Sequence, residues 1–195
     1  RGFVYSMFLC LLALIVLVQF NFITIILALV SMPLAFTYPL MKRYTYWPQL
    51  FLGVTFNYGI ILGWSSVMGG VNILPFILYF GAIFWTLGYD TIYGFQDIKD
   101  DEIIGLKSTS IKFKLNPYIF LKLCYSIFLA CLVIVGFLLE LNLTYFIFLF
   151  MASLQIFYFQ IYKLDTNNMD SCLKVFRSNG FLGLLVFLGL LVGRI

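Results

Sequence analysis

The sequence predicts an all-α, polytopic membrane helix bundle, and three observations lead to this fold class. Of its 195 residues, 63% are hydrophobic and only 10% are charged, whereas soluble domains have roughly 45–50% apolar and about 25% charged residues. The chain contains 23 phenylalanines, 13 tyrosines and 3 tryptophans, and its charged residues are too few to keep a protein this rich in aromatic side chains soluble in water. Seven apolar segments are long enough to cross a membrane. Together these properties exclude a soluble enzyme, a collagen-like chain and a disordered chain.

The seven apolar segments define the predicted elements, because a helix needs about 20 mostly apolar residues to cross a core of roughly 30 Å. They cover residues 3–20, 22–40, 48–67, 74–95, 117–139, 143–162 and 173–192. Short polar turns separate most of them, and the only long polar stretch runs over residues 97–116. We therefore predict a single transmembrane domain over residues 1–195, without a soluble domain.

The placement of the basic residues predicts the orientation of the bundle. When the seven helices are threaded through a membrane, eleven of the twelve lysines and arginines fall on one side and only Arg194 falls on the other. Basic residues concentrate on the cytoplasmic side of membrane proteins. We expect the chain in a bacterial inner membrane with these residues facing the cytoplasm, or in the mitochondrial inner membrane facing the matrix. The eleven are Arg1, Lys42, Arg43, Lys99, Lys107, Lys112, Lys114, Lys122, Lys163, Lys174 and Arg177.

Histidine is absent from the sequence, which excludes Ser–His–Asp triads and histidine-ligated zinc or haem. The four cysteines form no Cys-x-x-Cys pair and lie within or beside apolar runs. This placement is typical of small packing residues, not of a metal site or a disulfide framework.

Five of the eight acidic residues fall between residues 90 and 102. Asp90, Tyr93, Asp97 and Asp101 stand at positions i, i+3, i+7 and i+11. If the fourth helix continued through this run, the four would lie within a sector of roughly 80°. Carboxylates inside a bilayer are costly unless they are neutralised, and their oxygens suit Mg²⁺ before Zn²⁺. The column therefore predicts a Mg²⁺–diphosphate site with Asp90, Asp97 and Asp101 as metal ligands.

Other interpretations of the acidic run stay open. Asp100 lies at the edge of the sector and Glu102 lies off it, so we interpret both as part of a solvated face. A solvated face is also the alternative for Asp97 and Asp101, for which we favour the metal site. Asp90 follows an apolar run and lies too deep for a loop charge, and its alternative role is that of an ion-translocating carboxylate.

Two basic features accompany the acidic run. Tyr38 begins a segment that ends in Lys42 and Arg43, and fixed cations at a membrane mouth can hold an anion. The alternative for this pair is ordinary positive-inside anchoring. Lys107 follows the acidic run closely enough to reach a diphosphate there, and its alternative is a contact with lipid headgroups.

In combination these motifs resemble the intramembrane aromatic prenyltransferases of the UbiA superfamily. The run from Asp90 to Asp101, followed by Ile-Gly-Leu-Lys-Ser-Thr at 104–109, is similar to the second aspartate-rich motif of that family. Tyr-Pro-Leu-Met-Lys-Arg-Tyr-Thr at 38–45, with Pro-Gln-Leu at 48–50 and Gly53, resembles the 4-hydroxybenzoate polyprenyltransferase branch. Lys-Val-Phe at 174–176, with Asn179 and Gly183, is similar to that branch too.

The resemblance implies nine transmembrane helices around a central cavity and Mg²⁺-dependent transfer of a polyprenyl group to the ring of 4-hydroxybenzoate, a step of ubiquinone synthesis. Polyprenyl diphosphate, 4-hydroxybenzoate and the lipid bilayer are the expected partners, and no nucleic acid is expected. The implied catalytic residues are Asp97 and Asp101, which would hold Mg²⁺ and the diphosphate, and Asp90 and Tyr93, deeper in the site. The implied substrate-binding residues are Tyr38, Lys42, Arg43 and Lys107.

One part of the family pattern does not occur in this sequence. The first motif, Asn-x-x-x-Asp-x-x-x-Asp, is not found, and the seven helices match the third to the ninth of the family. We therefore expect an N-terminally truncated chain that is inactive alone. Two alternatives remain: another aromatic or haem prenyltransferase of the superfamily, and a cation-coupled secondary transporter. A transporter would show repeated halves with broken helices, and no such repeat is visible in the sequence.

Overall fold

The computed structural model describes residues 2–194, apart from the side chain of Phe3, and all regular structure in this range is helical. In chain order the α-helices are α1 (Gly2–Leu17), α2 (Phe22–Thr37), α3 (Met41–Tyr44), α4 (Pro48–Phe56), α5 (Gly59–Met68), α6 (Ile73–Gly94), α7 (Ile98–Ile104), α8 (Thr109–Lys112), α9 (Pro117–Leu138), α10 (Leu143–Leu154) and α11 (Met169–Val192). A 3₁₀-helix, Tyr38–Leu40, joins α2 to α3, and a π-helix, Gln155–Tyr162, continues α10.

Six helical segments of the described chain are long and apolar enough to cross a membrane. They are Phe22–Tyr44, Pro48–Met68, Ile73–Gly94, Pro117–Leu138, Leu143–Tyr162 and Met169–Val192. They coincide with six of the seven predicted segments and confirm the all-α membrane bundle. The remaining predicted segment, 3–20, corresponds to α1, which is apolar but has only 16 residues. Arg1, one of the eleven basic residues assigned to one side, lies outside the described residues.

Asparagine side chains begin four of the long helices. The first backbone N–H groups of a helix have no partner within it, and side-chain oxygens satisfy them. Each asparagine accepts a hydrogen bond from the backbone N–H group two or three residues further along, at distances of 2.9 to 3.2 Å. These residues are Asn21 for α2, Asn72 for α6, Asn142 for α10 and Asn168 for α11. The polar residues between apolar runs thus set where the helices start.

The packing of α6 against α9 forms the centre of the bundle. One face of α9 is fully buried at helical spacing, through Leu121, Cys124, Tyr125, Phe128, Leu132 and Val135. Glycines on α6 allow the close approach: a Cβ atom at Gly81 would lie 2.7 Å from the Cβ of Cys131, and one at Gly88 would lie 3.0 Å from the ring of Tyr125. Because interiors are close-packed, this contact fixes the position of α6, which carries Asp90.

The predicted continuation of the fourth helix through residue 101 is wrong. Helix α6 ends at Gly94, the chain bends over residues 95–97, and α7 begins at Ile98. The physical reason is that α8 packs across the end of α6. Ser110 of α8 donates a hydrogen bond of 2.8 Å to the carbonyl of Thr91, and its side chain fills the space that a Cβ atom at Gly94 would need. The four predicted column residues therefore do not share one helix.

We predict that Tyr44 and Leu143, which are 72% and 75% exposed, lie on opposite sides of the membrane, because the basic residues separate the two ends of the bundle. The measurement is labelling of Tyr44→Cys and Leu143→Cys with an impermeant maleimide in sealed vesicles. Cys10 is exposed and is replaced by serine, whereas Cys124, Cys131 and Cys172 are buried. Labelling of both positions from the same side would contradict the orientation.

Candidate functional site

A cavity of about 270 Å³ opens where the α2–α4 region meets the last turns of α6. Its lining combines apolar side chains with one carboxylate, one amine, one amide and one phenol. The lining residues are Tyr38, Pro39, Lys42, Pro48, Gln49, Leu52 and Asp90. Three residues that the sequence predicts for the site, Tyr38, Lys42 and Asp90, are thus brought together, although Asp90 lies about 50 residues after the other two along the chain.

Lys42 connects this cavity to Asp101. The Nζ atom of Lys42 lies 3.8 Å from Oδ2 of Asp101, whose side chain is only 9% exposed, whereas the Lys42 side chain is 46% exposed. A buried carboxylate is costly without a partner, so Lys42 provides the charge that Asp101 needs. The same lysine lines the cavity with Asp90. Lys42 therefore forms an ion pair with Asp101 and lines the same cavity as Asp90.

The remaining predicted site residues do not line the cavity. Asp97 is exposed and precedes α7 without capping it through its side chain. Tyr93 is 39% exposed, and its ring centre lies 4.7 Å from that of Phe176. Arg43 is exposed on the short helix α3. Asp100 and Glu102 are exposed, as expected of a solvated face, and Glu102 forms an ion pair with Lys114.

The described residues contain no group of three aspartate, glutamate or cysteine side chains close enough together to hold a metal ion. The predicted column of three carboxylates is therefore not formed, because α6 ends before Asp97. The donor chemistry of Asp90 and Asp101 still fits Mg²⁺, which takes oxygen ligands and usually keeps several waters beside one or two carboxylates and the oxygens of a substrate phosphate. These two residues can supply only part of such a shell.

Hydrogen bonds join the segment that contains Lys107 to the segment that contains Lys42. The backbone N–H of Lys107 donates to the carbonyl of Lys42 at 2.8 Å, and its Nζ donates to the carbonyl of Tyr44 at 3.3 Å. Gly105, with φ of 76°, makes the left-handed turn before it, a conformation that favours glycine. The two predicted basic features therefore lie side by side, and Lys42 lines the cavity.

Gln49 is a site residue that the sequence argument did not assign. It is 3% exposed, lines the cavity, and its Oε1 accepts a hydrogen bond of 3.0 Å from the backbone N–H of Thr109. The hydroxyl of Thr109 lies 2.6 Å from that of Thr91, the residue after Asp90. The sequence indicates Gln49 only as a polar amide side chain at the start of the apolar segment 48–67.

A second polar cluster orients aromatic rings on α6 and α11. The indole N–H of Trp85 donates to Oδ1 of Asn179 at 2.8 Å, and Nε2 of Gln160 donates to the same oxygen at 3.1 Å. Neighbouring ring centres of Trp85, Tyr89, Phe176 and Tyr93 lie 4.7 to 5.8 Å apart. They form a continuous aromatic row that includes the residue before Asp90.

Comparison with known proteins agrees with this arrangement of motifs. The UbiA prenyltransferase family matches residues 1–189. The chain belongs to the UbiA prenyltransferase family. Membership in the family favours the prenyltransferase interpretation of Asp90 over the transporter interpretation. It also confirms the resemblance of the sequence motifs to this family.

Several relatives of this UbiA family chain carry names that state an activity. The mitochondrial 4-hydroxybenzoate polyprenyltransferases of Bos taurus and Homo sapiens are 45% and 44% identical, each over 94% of this chain and 50% of its own length. The 4-hydroxybenzoate geranyltransferase 2 of Lithospermum erythrorhizon is 42% identical over 92% of this chain and 59% of its own length. The chain thus spans about half of the length of these relatives.

A solved structure supports the fold of the family. It is described as giving structural and mechanistic insights into the biosynthesis of digeranylgeranylglyceryl phosphate synthase in membranes. It superposes with a TM-score of 0.73, covering 98% of this chain and 68% of its own, at 19% sequence identity. At this level of identity the likeness establishes the shared helical fold.

We predict that Gln49→Leu weakens the attachment of the Thr109 segment to the cavity. The buried N–H of Thr109 loses its acceptor, which costs about 1–3 kcal/mol. The measurement is hydrogen exchange of the peptide that contains Thr109, which should become faster. Gln49→Glu is the matched control, because it keeps an oxygen acceptor of the same length. Equal exchange in Gln49→Leu and the unaltered chain would show that this hydrogen bond does not hold the segment.

Proposed function

We propose that this chain takes part in the transfer of a polyprenyl group from polyprenyl diphosphate to the ring of 4-hydroxybenzoate, a step of ubiquinone synthesis. The observation that carries the proposal is the cavity that Asp90 and Lys42 share, with Asp101 paired to Lys42 at its mouth. A mixed cluster of carboxylates and amines at a membrane surface suits a metal-bound diphosphate, since each charge has an opposite charge to meet. The names of the bovine and human relatives support the choice of substrates.

The basic residues bind the diphosphate in this proposal. Lys42 lines the cavity, Lys107 is hydrogen-bonded to this lysine through the backbone, and Arg43 follows Lys42 on α3. Asp90 within the cavity and Asp101 beside Lys42 would hold Mg²⁺, together with the exposed Asp97 on the surface side. Mg²⁺, when bound, withdraws charge from the leaving diphosphate. The Nζ atom of Lys42, which lies near Asp101, can move towards the diphosphate when the substrate binds.

The reaction is an alkylation of the aromatic ring. The allylic carbon–oxygen bond breaks, and the diphosphate leaves with the bonding electrons beside Lys42 and Lys107. The allylic carbon then accepts an electron pair from the ring carbon ortho to the phenol hydroxyl, forming a carbon–carbon bond. A base removes the proton from that ring carbon, which restores aromaticity. Fixed cations at the leaving group stabilise the charge that develops there.

The aromatic row gives the apolar substrate a surface inside the membrane. The four rings from Trp85 to Tyr93 on α6 and α11 are contiguous, and ring faces attract a developing carbocation. A polyprenyl chain would lie along these helices. The names of the bovine and human relatives state that those proteins are mitochondrial, and we place the reaction at the inner membrane of a mitochondrion or of a bacterium.

The experiment is a membrane assay with a polyprenyl diphosphate, 4-hydroxybenzoate and Mg²⁺. The 195 residues are tested alone and with the N-terminal helices of the bovine relative supplied in trans. We expect prenylated product when both parts are present. The same assay on Asp101→Asn should show turnover lowered by about a thousandfold, which corresponds to ~4 kcal/mol of transition-state stabilisation, and Asp97→Asn should lower it strongly as well.

Asp100→Asn is the matched control, because Asp100 is an exposed neighbour of Asp101 on the same short helix. It should retain most of the turnover. Equal losses in Asp100→Asn and Asp101→Asn would contradict the roles given to Asp97 and Asp101 and favour a diffuse acidic patch. Absence of product in the reconstituted system would contradict the proposed reaction itself.

A further inference from the structure

A groove of about 370 Å³ lies on the outer surface of the bundle, between α9 and the π-helix. Its lining residues are Tyr118, Lys122, Phe157, Ile161 and Tyr162. The groove is separate from the candidate active site, because the neighbouring residue Leu121 points into the core between α9 and α6 and is fully buried, whereas Lys122 is exposed. The residues around it on α9, Ile119 and Leu123, are 71% and 57% exposed, as expected of a surface that contacts lipid chains.

Lys122 is a charge within a membrane-spanning helix for which the described protein offers no counter-charge. The ion pairs among residues 2–194 are Lys42–Asp101 and Lys114–Glu102. Three other lysines lie over aromatic rings, but Lys122 does not. A charge in a spanning segment is costly when it has neither a partner nor water. An anion from outside the protein would satisfy it.

The depth of Lys122 matches the level of phospholipid phosphates. It lies five residues after Pro117, the first residue of α9, which corresponds to about 7.5 Å along the helix. The headgroup layer on each side of the hydrocarbon core is about 5–7 Å thick. The long side chain of a lysine near a helix end reaches towards this layer. We therefore expect its amine at the level of the lipid phosphates.

The walls of the groove suit a lipid molecule. The hydroxyl of Tyr118 donates to the carbonyl of Leu164 at 3.0 Å, which ties α9 to the segment after the π-helix. Tyr162 is 78% exposed and stacks on Tyr158, with ring centres 5.9 Å apart. Nζ of Lys163 lies 4.7 Å from the centre of the Tyr158 ring. Tyr162, which lines the groove with Lys122, is thus linked through the Tyr158 ring to a second cation, Lys163.

We propose that this groove binds the headgroup of an anionic phospholipid, with its phosphate at Lys122 and its acyl chains along the exposed faces of α9 and the π-helix. Lys122 lies on the basic side of the bundle, which the charge distribution assigns to the cytoplasmic or matrix leaflet, and basic pockets between helices on that side suit anionic lipids. The site does not depend on the proposed enzymatic function.

The experiment measures lipid retention by native mass spectrometry after the 195-residue chain is extracted from vesicles. The vesicles contain either phosphatidylcholine alone or phosphatidylcholine with phosphatidylglycerol. We expect the unaltered chain to retain one phosphatidylglycerol in preference to phosphatidylcholine. Lys122→Gln should weaken this retention about five- to tenfold, the effect expected from loss of one lysine near the membrane surface. Lys122→Arg should keep the preference, because it retains the charge.

Lys99→Gln is the control for net charge, since Lys99 is exposed on α7, outside the spanning helices. It should leave the retention unchanged. Equal losses in Lys99→Gln and Lys122→Gln would overturn the proposal and indicate only general attraction to an anionic surface. Unchanged retention in Lys122→Gln, or no preference of the unaltered chain for phosphatidylglycerol, would overturn it as well.

Discussion

The need to neutralise carboxylates at a membrane surface governs the arrangement of the candidate site. Lys42 stands 3.8 Å from the buried Asp101 and lines the cavity that contains Asp90. An unpaired carboxylate in a low-dielectric environment costs several kcal/mol, so the segment around Lys42 must stay near α7. The backbone bond between Lys107 and Lys42 holds these segments together. In our proposal the charges that stabilise one another around the cavity also bind the substrate.

A network of hydrogen bonds beside Asp90 holds α8 against α6 and α4. Gln49 holds Thr109, and the hydroxyl of Thr109 contacts that of Thr91. All three residues are buried. Because polar groups that are buried in a membrane protein must find partners within the protein, these contacts specify one position of α8 against α6. The network also places α8 where it terminates α6, and it therefore determines where Asp97 and Asp101 lie.

The sequence predicts those parts of the fold that depend on local composition. Apolar runs of about 20 residues define the spanning helices. The break after Gly94 could not be predicted in this way, because it depends on Ser110, 16 residues later, which occupies the space beside that glycine. Helical periodicity alone therefore placed Asp97 and Asp101 in line with Asp90. The ion pair between Lys42 and Asp101 is likewise a tertiary contact that the sequence does not predict, although the sequence predicts each residue separately as part of the site.

The arrangement of the candidate site depends most directly on the interaction between Lys42 and Asp101. The measurement is a double-mutant cycle of Lys42→Met, Asp101→Asn and the double variant, read as the free energy of unfolding in detergent. Because Lys42 is about half exposed and its charge is partly screened, we expect a coupling at the lower end of roughly 0.5–3 kcal/mol. The double variant should accordingly be more stable than the sum of the single losses implies. Strictly additive losses would show that the two charges do not depend on each other and would contradict the account.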